Sequence, residues 1–222
     1  MVVLCAGLTR NWQFRVADFT LPPATTVIVG MTGSGKTTFA LRYLLNAPVA
    51  CRFIFDDQGR AATRLRMIPA YTAAELEAAL ATRWVVFNPH RMFPGDTKNA
   101  FRFFCQWTYD ASKRGPGKKL LLVDEVWQWQ DNMQLPRELA LVVQTGREEH
   151  VELVCATQLP HKVNAAITGQ STELVCFRLS EPLALSRVAE LGADRGAVSA
   201  LPLGSFMSWN RLSGGKLAGK VF

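Results

Sequence analysis

Apolar residues along this chain fall into short unbroken runs, separated by polar or helix-patterned stretches. Six such runs are TTVIVG, CRFIFD, RWVVFN, KLLLVDE, VELVCAT and TELVCFRL, which begin at positions 25, 51, 83, 119, 151 and 172. They do not alternate strictly between apolar and polar residues, as is typical of strands buried on both faces. Because helical segments separate them, the pattern predicts an α/β fold with a mainly parallel central sheet flanked by helices.

Helical spacing of apolar residues predicts helices at 36–46, 73–82, 97–113 and 133–148. The second has a capping-box start, because Glu75 stands three residues after Thr72. Between the third helix and the next strand, KRGPGKK predicts a surface loop with four positive charges. At the N-terminus, alternation predicts an edge strand at about 11–20, and prolines follow it. The end of the chain, about 212–222, predicts either a hairpin turn or a flexible tail.

Composition adds limits to this picture. The chain has 222 residues, 49% of them apolar, which favours one domain spanning 1–222. Five scattered cysteines and three histidines lack metal-ligand spacing, so we expect reduced thiols in an intracellular protein and no structural metal. No signal peptide and no apolar run of membrane-spanning length is present, which predicts a cytoplasmic protein that is not itself membrane-spanning. A net charge of +7 favours a polyanionic partner, although an ordinary basic surface would give the same number.

The run GMTGSGKT lies between a predicted strand and a predicted helix and fits the phosphate-loop pattern GxxxxGK[ST]. Glycines in such a loop let backbone N–H groups approach phosphate oxygens, and the helix start adds partial positive charge. Lys36 would reach the outer phosphates, and Thr37 would place its hydroxyl on Mg²⁺. The alternative is a glycine turn with a solvated lysine. The predicted nucleotide-binding residues are Gly30, Met31, Thr32, Gly33, Ser34, Gly35, Lys36, Thr37, Thr38 and Asp124.

Two later strands end in polar residues suited to ATP hydrolysis. Asp124 follows four apolar residues and would hold Mg²⁺ together with Thr37, while Glu125 would act as general base toward water. Gln158 follows the strand VELVCAT and would sense the terminal phosphate and orient the water. The alternative readings are a helix cap for the acidic pair and a backbone-binding amide for the glutamine. Together with Lys36, these residues predict a P-loop ATPase that uses ATP and Mg²⁺.

One longer segment is more specific for a family than the phosphate loop and the Asp-Glu pair, which many ATPases share. Gly146-Arg147 precedes a strand ending in Ala156-Thr157-Gln158, Pro160 follows, and a second strand leads to Ser186-Arg187 and Gly192-Ala193. This order resembles the FtsK and HerA family of DNA-pumping ATPases. With the phosphate loop and the Asp-Glu pair, the resemblance covers about residues 25–210. Because the chain is a bare core of this size, it looks most like the genome-packaging ATPases of membrane-containing double-jelly-roll viruses.

The resemblance implies a RecA-like P-loop NTPase core and a motor that translocates double-stranded DNA, packaging a viral genome into a capsid. It implies a homo-oligomeric ring, a hexamer, in which ATP lies between subunits and an arginine reaches into the neighbouring site. Arg147 is the first candidate for this arginine, ahead of Arg178 and Arg187. Viral capsid or membrane-vertex proteins would be further partners, and the place of action would be the host cytoplasm or the virion.

Other functions stay open at this point. A filamentous-phage type of virion assembly ATPase also has a phosphate loop, and so does a small-molecule kinase of similar length. Candidate DNA contacts are basic groups in two segments, at 113–119 and at Arg60, Arg64 and Arg66, and each is also compatible with a solvated face. Trp127 and Trp129 stand two apart and would stack on bases or pack internally.

Overall fold

The sheet is the organising element of the computed structural model, which describes residues 25–222. Its strands run in the order β3-β2-β4-β5-β1-β6-β7-β8. The first six in that order are parallel, and β7 and β8 are antiparallel. The strands are β1 Thr25–Val29, β2 Cys51–Phe55, β3 Trp84–Phe87, β4 Lys119–Val123, β5 Val151–Thr157, β6 Ser171–Phe177, β7 Ser205–Asn210 and β8 Lys216–Lys220. The mainly parallel sheet predicted from the apolar runs is thereby confirmed, and the predicted edge strand at 11–20 lies outside the described residues.

Helices cover both faces of this sheet. Their bounds are α1 Lys36–Asn46, α2 Arg60–Leu65, α3 Ala73–Leu80, α4 Thr97–Ser112, α5 Arg137–Thr145, α6 Ala165–Gln170, α7 Pro182–Glu190 and α8 Arg195–Ala200. The prediction of a helix over 133–148 was wrong at both ends. Asn132 and Met133 have positive φ angles of 48° and 66°, and α5 starts only after Pro136, whose fixed φ suits a helix start.

Each parallel strand contributes side chains to two cores. In β4, Leu121 and Val123 face a core shared with α4, whereas Leu120 and Leu122 face a core shared with α1. A strand buried on both faces needs apolar residues at every position, which is why these runs lack alternation. The carboxyl ends of the parallel strands therefore meet at one edge of a rigid sheet.

The end of the chain forms a hairpin, which is one of the two alternatives that its sequence left open. β7 and β8 pair in register from Ser205–Lys220 to Trp209–Lys216. After β8 the chain returns to the carboxyl edge, where the Val221 N–H donates to the Gly204 carbonyl at 2.8 Å. The Gly204 N–H in turn donates to the Ser34 carbonyl at 3.2 Å, so the hairpin contacts the phosphate loop.

Among residues 25–222, no helix combines the length and the apolar character needed to cross a bilayer.

Candidate nucleotide-binding site

The phosphate loop is fixed at the carboxyl edge between two neighbouring strands. The Gly30 N–H donates to the Thr157 carbonyl of β5 at 3.3 Å. The Met31 N–H donates to the Arg178 carbonyl after β6 at 2.9 Å. Since β1 pairs with both of these strands, the loop starts from a fixed position and continues directly into α1.

Glycines in this loop meet requirements that other residues would not. A Cβ on Gly30 would lie 2.6 Å from both the Phe177 Cβ and the Ser34 Oγ, so no side chain fits there. Gly33 and Gly35 have φ angles of +75° and +111°, a region that glycine adopts without strain. The Ser34 hydroxyl is buried and has no hydrogen-bond partner in the described structure. A cradle of this kind, with a buried polar group left unpaired, fits an anionic ligand.

Lys36 lies folded over the loop that precedes it. Its side chain is 7% exposed, and its Nζ donates to the Met31 carbonyl at 3.2 Å. Nζ also lies 3.9 Å from a carboxylate oxygen of Glu125. Burial lowers the pKa of Lys36, and the charges of Glu125 and Asp124 oppose that shift. The ammonium group thus stands at the loop with charged carboxylates beside it and no strong ion pair that it must break to bind phosphate.

Thr37 and Asp124, the two predicted metal ligands, lie in contact. The Thr37 hydroxyl donates to the Asp124 Oδ2 at 3.0 Å, although the two residues are 87 positions apart in sequence. Both groups present oxygen, the ligand that Mg²⁺ prefers, and Asp124 stands at the carboxyl end of β4. The donor set therefore fits Mg²⁺.

Glu125 is oriented by its neighbours. Its Oε2 accepts hydrogen bonds from the Gln158 backbone N–H at 3.2 Å and from the Trp127 indole N–H at 3.0 Å. Its backbone adopts a left-handed conformation with φ 46°, which is uncommon outside glycine. Burial raises the pKa of Glu125 above its usual value, and the hydrogen bond from Gln158 and the charge of Lys36 oppose that shift. A carboxylate held this way has the geometry and the basicity of a general base.

Gln158 connects β5 to the phosphate loop. Its side-chain carbonyl accepts a hydrogen bond from the Thr32 hydroxyl at 2.6 Å. The structure therefore brings Gln158, Glu125, Lys36, Thr37 and Asp124 together at one edge of the sheet, as the sequence predicted.

A cavity of about 640 Å³ opens above these residues. One of its walls is α2, which the sequence analysis missed. Asp56 caps this short helix, because its two carboxylate oxygens accept from the Ala61 and Ala62 N–H groups at 3.0 and 2.7 Å. The signal for this helix was present in the sequence, since an acidic pair and a glycine follow β2.

Several residues of the two basic segments line the cavity or are buried, and do not form one exposed charged surface. Arg60 and Arg64, considered above as DNA contacts, line the nucleotide cavity, and Arg64 lies 3.4 Å from the Thr38 hydroxyl. Lys119, predicted to lie in a surface loop, begins β4 and is buried, with its Nζ donating to the Ser112 and Glu149 carbonyls. The four charges of KRGPGKK are therefore not one exposed patch.

Trp127 and Trp129 differ in role. Trp129 is buried and stacks on Phe101 at 5.2 Å between ring centroids, so it is a core residue that also lines the cavity. Trp127 donates to Glu125, a contact that the spacing of the two tryptophans did not predict.

The candidate arginines lie in three different places. Arg147 is exposed and precedes β5, at the amino edge of the sheet and roughly 20 Å from the phosphate loop of its own chain. Arg187 binds Glu190 at 2.7 Å and the Thr168 hydroxyl at 2.8 Å, which satisfies its guanidinium locally. Arg178 is exposed at the carboxyl edge next to the loop. None of these observations tests a contact between subunits, so the role of Arg147 stays a prediction.

No protein-family profile matches the chain, and no curated protein matches it in sequence. Solved structures of other proteins do match it in fold. The genome-packaging NTPase B204 of Sulfolobus turreted icosahedral virus 2, in complex with ATPγS, superposes with a TM-score of 0.71 over 90% of this chain and 98% of its own, at 18% identity. VirB4 of Thermoanaerobacter pseudethanolicus follows with a TM-score of 0.66 over 89% of each chain, at 12% identity.

These similarities confirm the α/β fold of P-loop ATPases, which this chain shares with a viral genome-packaging NTPase and with VirB4. B204 is also known as a complex with AMPPCP, and its counterpart from Sulfolobus turreted icosahedral virus is described as a DNA-packaging ATPase.

Proposed function

We propose that this protein is a Mg²⁺-dependent ATPase that drives translocation of double-stranded DNA and packages a viral genome. One observation carries the proposal. A single cavity contains a phosphate loop, a threonine–aspartate pair at 3.0 Å and a half-buried glutamate that accepts a hydrogen bond from the Gln158 N–H directly after β5. These groups are what ATP hydrolysis requires, and they are contributed by three neighbouring strands.

In this mechanism the phosphate loop and Lys36 bind the phosphates, with Lys36 exchanging the Met31 carbonyl for phosphate oxygens. Thr37 and Asp124 would hold Mg²⁺, which neutralises phosphate charge when bound. Glu125 accepts the proton of the attacking water, and its bonds from Gln158 and Trp127 fix the direction of the carboxylate. Gln158 exchanges its contact with Thr32 for the terminal phosphate and the water.

DNA as the substrate of the motor is supported by the fold of the neighbours and by the net charge of +7. We propose a hexameric ring, with capsid or membrane-vertex proteins as partners and the host cytoplasm as the place of action. Arg147 would act on the next subunit, which is compatible with its distance from the loop of its own chain. A cation supplied in trans would stabilise the charge that develops on the transferred phosphoryl group.

The central test measures ATP hydrolysis with and without duplex DNA, together with the mass of the particle in solution. Lys36→Ala should abolish hydrolysis, whereas the exposed Lys216→Ala is the matched control. Hydrolysis by a ring-sized particle that DNA stimulates supports the motor, provided that the stimulation by DNA decreases as salt is added. A monomer that hydrolyses ATP equally without DNA, or that phosphorylates a metabolite, would refute it.

Arg147 is tested by mixing subunits. Arg147→Ala should bind ATP but not hydrolyse it, while Arg195→Ala, at another exposed arginine, should stay active. If Arg147 acts in trans, mixing Arg147→Ala with Lys36→Ala subunits restores hydrolysis, because some interfaces then contain an intact loop and an intact arginine. Full activity of Arg147→Ala alone would exclude this role.

A further inference from the structure

The strand order gives the bound nucleotide a direction. Asp124, Glu125 and Gln158 follow β4 and β5, which lie on one side of β1. On the other side of β1 lie β6, β7 and β8. If the terminal phosphate meets Glu125 and Gln158, the phosphate chain crosses the loop and its nucleoside end points toward β6 to β8.

Phe222 stands on that side, and the residue before it is held firmly. The preceding residue, Val221, is 1% exposed and packs in the core around α1. The Val221 N–H donates to the Gly204 carbonyl at 2.8 Å, and its carbonyl accepts from the Arg42 guanidinium at 2.7 Å. These bonds fix the point from which the Phe222 side chain projects.

The ring itself lies at the rim of the cavity. It contacts Gly204, because a Cβ at that glycine would lie 2.5 Å from the Phe222 Cε2. Its Cε1 lies 3.4 Å from where a Cβ of Gly35 would stand, next to the first residue of α1. Two glycines with positive φ thus leave room for the ring at the start of the helix that receives the phosphates.

The exposure of this ring distinguishes it from other aromatic residues of the cavity wall. Phe222 lines the cavity and is 70% exposed. Two other aromatic residues of the cavity wall, Phe55 and Trp129, are buried and pack edge to face on each other at 4.9 Å. A phenylalanine that served only the core would be buried as Val221 is. Phe222 instead offers a flat apolar surface at the rim of the cavity.

We propose that Phe222 is the stacking platform for the purine base of the bound nucleotide, an inference that rests on the proposed ATPase function. Every nucleobase has a π face, and stacking on an aromatic side chain stabilises it without reading its hydrogen-bonding edge. The platform therefore adds affinity for the nucleoside part and leaves the phosphates to the loop.

The test separates the base from the phosphates by calorimetric titration of the full chain, with Mg²⁺, with ATP and with inorganic tripolyphosphate. Phe222→Ala should weaken ATP binding by roughly five- to hundredfold, the range of one base–aromatic stack, and leave tripolyphosphate binding unchanged. Phe222→Tyr should restore ATP affinity. Leu217→Ala removes an exposed apolar side chain from β8 in the same hairpin and should change neither.

Three results would overturn the stacking role of Phe222. Wild-type ATP affinity in Phe222→Ala would overturn the platform while leaving the ATPase proposal intact. An equal loss for ATP and tripolyphosphate would also overturn it, because the ring would then support the loop rather than the base. If the wild-type chain binds neither ligand, the proposed function fails and the platform fails with it.

Discussion

Replacing Glu125 by glutamine gives the most informative perturbation of this site. The amide has the same shape and keeps an oxygen that can accept from the Gln158 N–H and the Trp127 indole, now at 3.2 and 3.0 Å from the carboxylate. Local structure should therefore survive. What is lost is the capacity to take a proton from water and the negative charge 3.9 Å from Lys36.

The expected size of the effect follows from these two losses. A positioned general base contributes about 10²- to 10⁴-fold in rate, which corresponds to about 2.7 to 5.4 kcal/mol of transition-state free energy. ATP binding should stay equal or become tighter, since a negative charge beside the phosphates is removed. The effect of Glu125→Gln should thus appear in kcat and not in KM.

The assay is single-turnover hydrolysis of radiolabelled ATP, combined with equilibrium binding of a non-hydrolysable analogue. Glu190→Gln is the matched control, because Glu190 is an exposed carboxylate on α7. A loss of less than tenfold in Glu125→Gln, with binding unchanged, would refute the assignment of Glu125 as base.

Three further predictions concern protonation and stability. Because burial raises the pKa of Glu125 above 4.5 and lowers that of Lys36 below 10.5, kcat/KM should fall on the acid side as Glu125 protonates and on the alkaline side as Lys36 loses its charge; an acid limb that Glu125→Gln keeps in single-turnover measurements would contradict this. Asp56→Ala should lower the free energy of unfolding by about 1 to 3 kcal/mol in denaturant titrations, because two N–H groups of α2 lose their acceptor. The exposed Asp110→Ala serves as its control, and equal losses in both variants would show that the cap is unimportant. Burial raises the pKa of Glu173 to about 7, so its contribution to stability is complete below pH 4.5 and is lost as pH rises through 7. Glu173→Gln should remove up to about 3 kcal/mol of that pH dependence, and an unchanged slope between pH 5 and pH 8 would contradict the shift.

Much of this fold is encoded locally. The strand predicted from VELVCAT matches β5, Val151–Thr157, because a strand buried on both faces must be apolar along its whole length. The phosphate loop is contiguous, so its chemistry is visible in eight consecutive residues. Asp124 and Gln158 were predictable because each directly follows an apolar strand. Polar residues at the carboxyl ends of parallel strands meet at one edge of the sheet.

What sequence reasoning missed depends on local backbone conformation and on contacts that residue spacing does not specify. Helix α2 has six residues, which is too short for helical periodicity to show, so its sequence signal is limited to the acidic pair and the glycine that precede it. The indole of Trp127 reaches Glu125 through a turn of 3-10 helix, which spacing alone does not predict. The contact between Phe222 and Gly204 depends on the pairing of the last two strands, and the sequence at 212–222 was equally compatible with a flexible tail.

The left-handed backbone of Glu125 has a consequence for how this chain can evolve. A non-glycine residue in that conformation costs roughly 1 to 2 kcal/mol, which the surrounding strands must offset. Variants selected only for heat resistance should therefore accumulate glycine or asparagine at position 125 and lose hydrolysis as they gain thermal tolerance. Thermal stability and ATP hydrolysis therefore place opposite demands on position 125, and a glutamate is kept there only under selection for hydrolysis.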